Sequence, residues 1–201
     1  MAAAQGKGLM RQALRAVVVR AIRGFRSISY MAATTLTSSP PVELLAKERS
    51  ILYWQIKELR ERGEDVSVRV QAALKSQVVV RTLERWADEM FAPWEIGRLT
   101  TEAVRPCLVE FAGRRGRGLT YHLVQVITGH GCFGQYLHRI KKELTTGCHH
   151  CTELDDTVQH TLSACEAWSR ERGVLARAVG CGEQELSLLC MVRAMCGSEE
   201  I

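Results

Sequence analysis

Acidic residues are missing from everything that precedes Glu43, whereas Lys7, Arg11, Arg15, Arg20, Arg23 and Arg26 all fall in that region. A basic end of this kind attracts polyanions, which include nucleic acid, an anionic membrane surface and an import receptor. Long hydrophobic runs are absent as well: no stretch approaches the roughly 20 apolar residues that a bilayer-spanning helix needs. There is no secretory signal pattern, so the 8 cysteines do not read as an extracellular disulfide framework. In a reducing compartment a clustered Cys/His set reads as a metal site instead. The chain also lacks a glycine-rich phosphate loop with its lysine, a His-Glu-x-x-His pair and a Gly-x-Ser-x-Gly elbow, which removes three common catalytic frameworks. No internal repeat, no low-complexity tract, no compact basic import signal and no clear alternating strand occurs. The expected fold class is therefore mainly α.

What is present is an ordinary globular composition. Hydrophobic residues make up 46% and charged residues 24% of 201, with a formal net charge of +5, enough for one respectable core or two small ones. Met10, Leu14, Val17, Val18, Ala21, Ile22 and Phe25 share one side of a helical wheel, and Arg11, Arg15, Arg20, Arg23 and Arg26 take the other. The same Arg-rich, acid-free opening is how a mitochondrial transit peptide looks, a rival to a helix with a solvated basic face. Thr34 to Pro41 reads as a connector, with Pro41 placed to open a helix from Val42 to Arg62 that Gly63 ends. A further helix is expected over about Val68 to Met90 despite the β-branched run Val78, Val79, Val80. Trp86, Phe91 and Trp94 read as packing anchors. Thr100 or Thr101 is placed to cap a short helix, bent or broken at Pro106.

Arg114, Arg115 and Arg117, spaced by glycine, form a basic loop suited to phosphate contact, because the backbone can approach closely and arginine bonds phosphate through two nitrogens. Beyond it, two helices are expected, interrupted by Gly129, Gly131 and Gly134.

The densest chemistry runs "GCHHCTELDDTVQHTLSAC" from Gly147 to Cys165. Cys148 and Cys151 have knuckle spacing, and His160 and Cys165 supply a second pair, so four N/S ligands are available for one tetrahedral structural zinc. A divalent ion on three thiolates and a neutral imidazole leaves one net negative charge. Arg139, Lys141, Lys142, Arg170 and Arg172 flank the cluster, where they offset that charge and can reach a phosphate backbone. His149 and His150 lie inside the knuckle turn and read as contact residues. Asp155 and Asp156 fall in the loop between ligands. A polymerase carboxylate pair needs a palm sheet and a distant partner, so Asp155 or Asp156 reads instead as a cap for the helix carrying His160. Cys107, Cys132, Cys181, Cys190 and Cys196 are scattered and read mostly as buried small hydrophobes.

Two linked stretches, "YHLVQVITGHGCFGQYLHRI" and "CHHCTELDDTVQHTLSACEAW" with its trailing Trp168, resemble the C-terminal region of reverse transcriptases from non-long-terminal-repeat (LINE-like) retrotransposons. The segment "RAVVVRAIRGFRSISYMAATTLTSSPPVELLAKERSILY" is similar to the part of that family after the polymerase core, so the likeness covers roughly residues 10 to 180. It implies a thumb-like or connector helical region at 1–98 and, at 99–201, a helical segment with a zinc knuckle (148–165) and a C-terminal helix. It further implies RNA or DNA and the polymerase core of a parent RNA-directed DNA polymerase as partners, a nuclear setting, and no membrane. Polymerase and endonuclease activities are expected elsewhere in such a parent, not in this chain. The alternative is a domesticated zinc protein that binds another protein, with the knuckle as a staple.

Overall fold

The computed structural model describes residues 2–90, 97–114 and 119–197. Among these residues there is no strand, and ten α-helices carry the fold. They are α1 (Ala2–Ala21), α2 (Tyr30–Thr37), α3 (Val42–Glu61), α4 (Val68–Glu89), α5 (Arg98–Val104), α6 (Leu108–Gly113), α7 (Tyr121–Thr128), α8 (Gly134–Arg139), α9 (Ser169–Val179) and α10 (Leu188–Gly197). No helix among the described residues is long and apolar enough to cross a membrane.

Helix α1 buries Val18, Val19 and Ile22 near its C-terminal end, while Met10 and Val17 from the expected apolar side are exposed. Its arginines are partly spent on structure. Arg11 pairs with Glu43, the first carboxylate of the chain, and lies over the Tyr30 ring at 5.9 Å. Arg15 donates from Nε and Nη2 to the Ile28 carbonyl at 3.0 and 2.7 Å and also meets the Arg26 carbonyl, closing the bend between α1 and α2.

The expected connector at Thr34 is instead the second half of α2. Thr34, Thr35, Leu36 and Thr37 are helical and buried. Threonine tolerates this position because its hydroxyl finds a carbonyl one turn back: Thr34 Oγ1 donates to Tyr30 O at 2.9 Å, and Thr37 Oγ1 to Ala33 O at 3.0 Å. Ser29 caps the helix by accepting from Ala32 N–H, and Ser38 ends it in the left-handed conformation, φ 52°.

Helices α3 and α4 form an antiparallel hairpin that turns at Gly63, φ 71°. Val78 to Val80 do not interrupt α4; Val78 and Trp86 are buried on its inner face. Of the apolar residues Leu44, Leu45, Ile51, Leu52, Ile56 and Leu59 on α3, only Leu44 is buried, and Tyr53 and Trp54 stand exposed, ring against ring at 5.3 Å.

Helix α5 is the hub, touching α2, α7 and α10. Gly97 caps it with φ 92°, and a Cβ there would come within 2.2 Å of Ser29 Oγ, so glycine is what permits α2 and α5 to meet. Neither Thr100 nor Thr101 caps this helix. Both lie inside it, and Thr100 Oγ1 donates to Ile127 O at 3.1 Å, fastening α5 to α7. Pro106 sits in a tight turn, Arg105–Cys107, that offsets α6 from α5. A single core runs from Val18 and Ile22 through Trp86, Val104 and Ile127 to Val158, Leu162 and Val192. Phe91 and Trp94 lie outside the described residues.

Candidate metal centre

The glycines at 129, 131 and 134 separate α7 from α8 as expected. Gly129 ends α7 with φ 67°, and its N–H and that of His130 return to Val126 and Gln125 carbonyls. Gly134 has a different duty. A Cβ on it would lie 2.4 Å from Thr146 O and 2.6 Å from Gly147 O, so only glycine lets the start of α8 press against the backbone that leads into Cys148.

That backbone is then folded on itself. Cys148 N–H donates to Glu153 O at 2.9 Å, Asp156 N–H to Thr146 O at 2.7 Å, and Thr146 Oγ1 to Leu154 O at 2.8 Å. Inside the turn His150 N–H points at Cys148 Sγ, 3.4 Å away.

Thr157 Oγ1 accepts from His160 N–H at 3.0 Å and so caps the short helix that carries His160. The turn His160–Ala164 is a wide π-type turn in which Cys165 N–H returns to His160 O at 2.8 Å. This local widening, common at functional sites, brings two ligands five positions apart to the same side.

The result is a cluster of Cys148, Cys151, His160 and Cys165 whose ligand atoms all lie within 4.8 Å of one another. Cys148 Sγ and Cys165 Sγ are 3.9 Å apart, and Cys151 Sγ and His160 Nε2 are 3.3 Å apart. A tetrahedral ion with metal–sulfur bonds near 2.3 Å separates its sulfurs by about 3.8 Å, so the donor set fits one metal ion. Cys165 is fully buried, His160 is buried, and Cys148 and Cys151 are half-buried. The Glu153 backbone hydrogen bond pulls the Cys151 thiol down, yet desolvation and the crowding of Cys148 and Cys165 push it up to about 11. A metal ion must displace those protons, and binding there releases them.

Asp156 is 4% exposed and caps a helix other than the one expected. Its Oδ2 accepts from Gly134 N–H at 2.9 Å, its Oδ1 accepts from Thr161 Oγ1 at 3.3 Å, and its carbonyl accepts from Gln135 N–H at 3.1 Å. The carboxylate thus ties α8 to the metal loop across 22 positions, a distance at which no local spacing rule operates. The Thr157 cap, by contrast, was readable as a hydroxyl three residues ahead of the helix position it serves. Asp155 is exposed.

His149 and His150 stand outside the donor set. His149 lies 3.7 Å from Glu143, and His150 meets the Trp168 ring edge-on at 5.0 Å. Around the cluster, Lys141, Lys142 and Arg170 are exposed. Arg172 is turned inward: its Nη2 donates to the carbonyl of Cys165 at 3.0 Å, placing positive charge beside a ligand. Arg139 lies over the Tyr136 ring at 5.2 Å and meets His130 Nε2 at 3.3 Å. Arg114 covers the Phe111 ring at 5.5 Å, and Arg115 and Arg117 lie outside the described residues. Of the scattered cysteines only Cys107 is buried; Cys181, Cys190 and Cys196 are half-buried and Cys132 is exposed.

The chain is 26% identical over 178 residues to the retrovirus-related Pol polyprotein from type-1 retrotransposable element R1 2 of Nasonia vitripennis, covering 84% of this chain and 42% of that protein. The corresponding Pol polyprotein from element R1 4 of Nasonia vitripennis is 31% identical over 178 residues, covering 84% and 43%. That from element R1 of Popillia japonica is 38% identical over 55 residues, 27% of this chain and 22% of that protein. These homologues are R1-type, non-long-terminal-repeat Pol polyproteins, and the chain spans less than half the length of the first two. No family model and no solved structure matches the chain.

Proposed function

We propose that this chain is a nucleic-acid-binding module of an R1-type retrotransposon Pol protein, built around one structural zinc in a C-terminal knuckle, that positions RNA template or target DNA. The observation that carries the reading is the convergence of Cys148, Cys151, His160 and Cys165, in a chain whose homologues are Pol polyproteins. The donor chemistry favours zinc: three thiolates and an imidazole, two of them buried and two half-buried, suit that ion and fill its four positions. Bound there, zinc would supply folding energy and a rigid loop rather than a reactive water.

Exposed Lys141, Lys142 and Arg170, with Arg114, Arg115, Arg117 and Arg139, are the proposed phosphate contacts, and Arg172 steadies the Cys165 carbonyl from within. Polymerisation and target nicking belong, in this reading, to other parts of such a polyprotein, and a polymerase core is the proposed protein partner.

Elemental mass spectrometry of the purified chain, with salt-dependent binding of single-stranded RNA and DNA before and after chelation, tests the reading. About one zinc per chain and affinity that falls on chelation are expected, and Cys151→Ser should lose the metal. Retention of zinc by that variant overturns the ligand assignment; zinc without nucleic-acid binding overturns the module and favours a protein-interaction staple.

A further inference from the structure

Between α2, the start of α5, the α7–α8 turn and the helix that carries His160 lies a cleft of about 780 Å³. Among the described residues its lining holds two arginines, Arg98 and Arg139, and the imidazole of His130, and no aspartate or glutamate. The two guanidinium groups on its rim make the cleft attractive to an anion. Neither arginine is loose. Arg139 is held by the Tyr136 ring and by His130 Nε2, and Arg98 is paired through Nε with exposed Glu102 at 2.6 Å.

His130 Nδ1 lies 2.8 Å from the Thr128 carbonyl, an oxygen that can only accept, and Nε2 meets Arg139 at 3.3 Å. Tyr136 is anchored in turn by Ser27 Oγ at 2.9 Å. Leu99, Phe133 and Val158 form an apolar stretch of the wall, with the hydroxyl residues Ser27, Ser29, Thr128 and Thr157 and the exposed amide side chain of Gln135 around it.

We propose that this cleft seats an unstacked nucleotide of a single-stranded nucleic acid, with its phosphate on the Arg98 and Arg139 rim and its base against the Leu99, Phe133 and Val158 wall. The volume is that of a small-molecule site, which suits one extruded nucleotide and not a duplex. Fixed arginines for the phosphate, an apolar wall for the base and an amide for its edge are the three elements by which proteins take hold of splayed-out bases. One wall belongs to the metal module, since Thr157, Val158 and Gln159 open the helix that supplies His160. The inference rests on the nucleic-acid reading above and assigns it a place.

The test uses the full metal-loaded chain and fluorescent single-stranded oligonucleotides of one sequence, made as RNA and as DNA, titrated across a salt series. Arg98→Gln with Arg139→Gln should weaken binding roughly tenfold. It should also flatten the slope of log affinity against log salt by about 1.4, at roughly 0.7 per lost phosphate contact. Arg69→Gln with Lys75→Gln, two exposed α4 positions, removes the same charge elsewhere and should leave the slope unchanged. Leu99→Trp narrows the cleft without touching a charge and should lower affinity for whichever of RNA or DNA binds; Leu99 is 38% exposed, so the ring has room to be accommodated. Zinc content and the circular dichroism of each variant report folding. If the parent chain binds but the cleft pair behaves like the α4 pair, or Leu99→Trp binds normally, the cleft is not the seat and the module reading survives. If the parent chain binds neither oligonucleotide, both fall.

Discussion

At the scale of single residues, the chemistry of this protein depends on a few side chains held in unusual surroundings. His130 is 8% exposed, and burial pushes its imidazole below the usual range; the Thr128 carbonyl acts in the opposite direction, and nearby Arg139 adds to the depression. A lowered folded value means that the unfolded chain takes up the proton first as pH falls. Stability contributed by His130 is therefore present above about 6.5 and lost as pH drops below it. Denaturant unfolding of the wild type and of His130→Gln at a series of pH values should show a shallower acid-side decline in the variant. Parallel profiles would mean that the ring is already solvated. The sequence offered the glycines around His130 but no hint of its burial, because that arises from Phe25 and Tyr136 packing on it from other elements.

At the scale of elements, the junction between α8 and the metal loop decides whether the ligands converge. Gly134 allows the backbones to touch, and Asp156 binds them together with both carboxylate oxygens. Asp156→Ala strands the buried Gly134 N–H and should cost about 2–3 kcal/mol in denaturant unfolding, with weaker metal retention. Asp156→Asn keeps one acceptor and should cost less. Equal costs would show that charge rather than the acceptor matters. Helix lengths for α3 and α4 were readable from periodicity and from Gly63, since those are local signals. The helical character of Thr34 to Thr37 was not, because threonine's preference for turns is reversed only when burial makes back-bonded hydroxyls the best solution.

At the scale of the whole molecule, one core links α1 and α2 to α10 through the hub helix α5, and the metal module contributes Val158 and Leu162 to it. Most of that core lies outside the module, so chelation should open the module without melting the rest. Hydrogen exchange followed by mass spectrometry is expected to rise over residues 146–165 and at the start of α8, while the α3–α4 hairpin keeps its protection. Unchanged exchange at 146–165 after verified metal loss would mean that the loop needs no ion.

The sequence by itself determined the helical class, the main helix breaks and the four Cys and His residues that cluster in the fold, because periodicity, glycine and cysteine spacing are local properties. Only the tertiary structure decided which acid serves as strut, which arginines of α1 are consumed in ion pairs and carbonyl contacts, and where a cleft rimmed by Arg98 and Arg139 forms. Each of those depends on groups far apart in the chain meeting at hydrogen-bond distance, and burial alone sets their value.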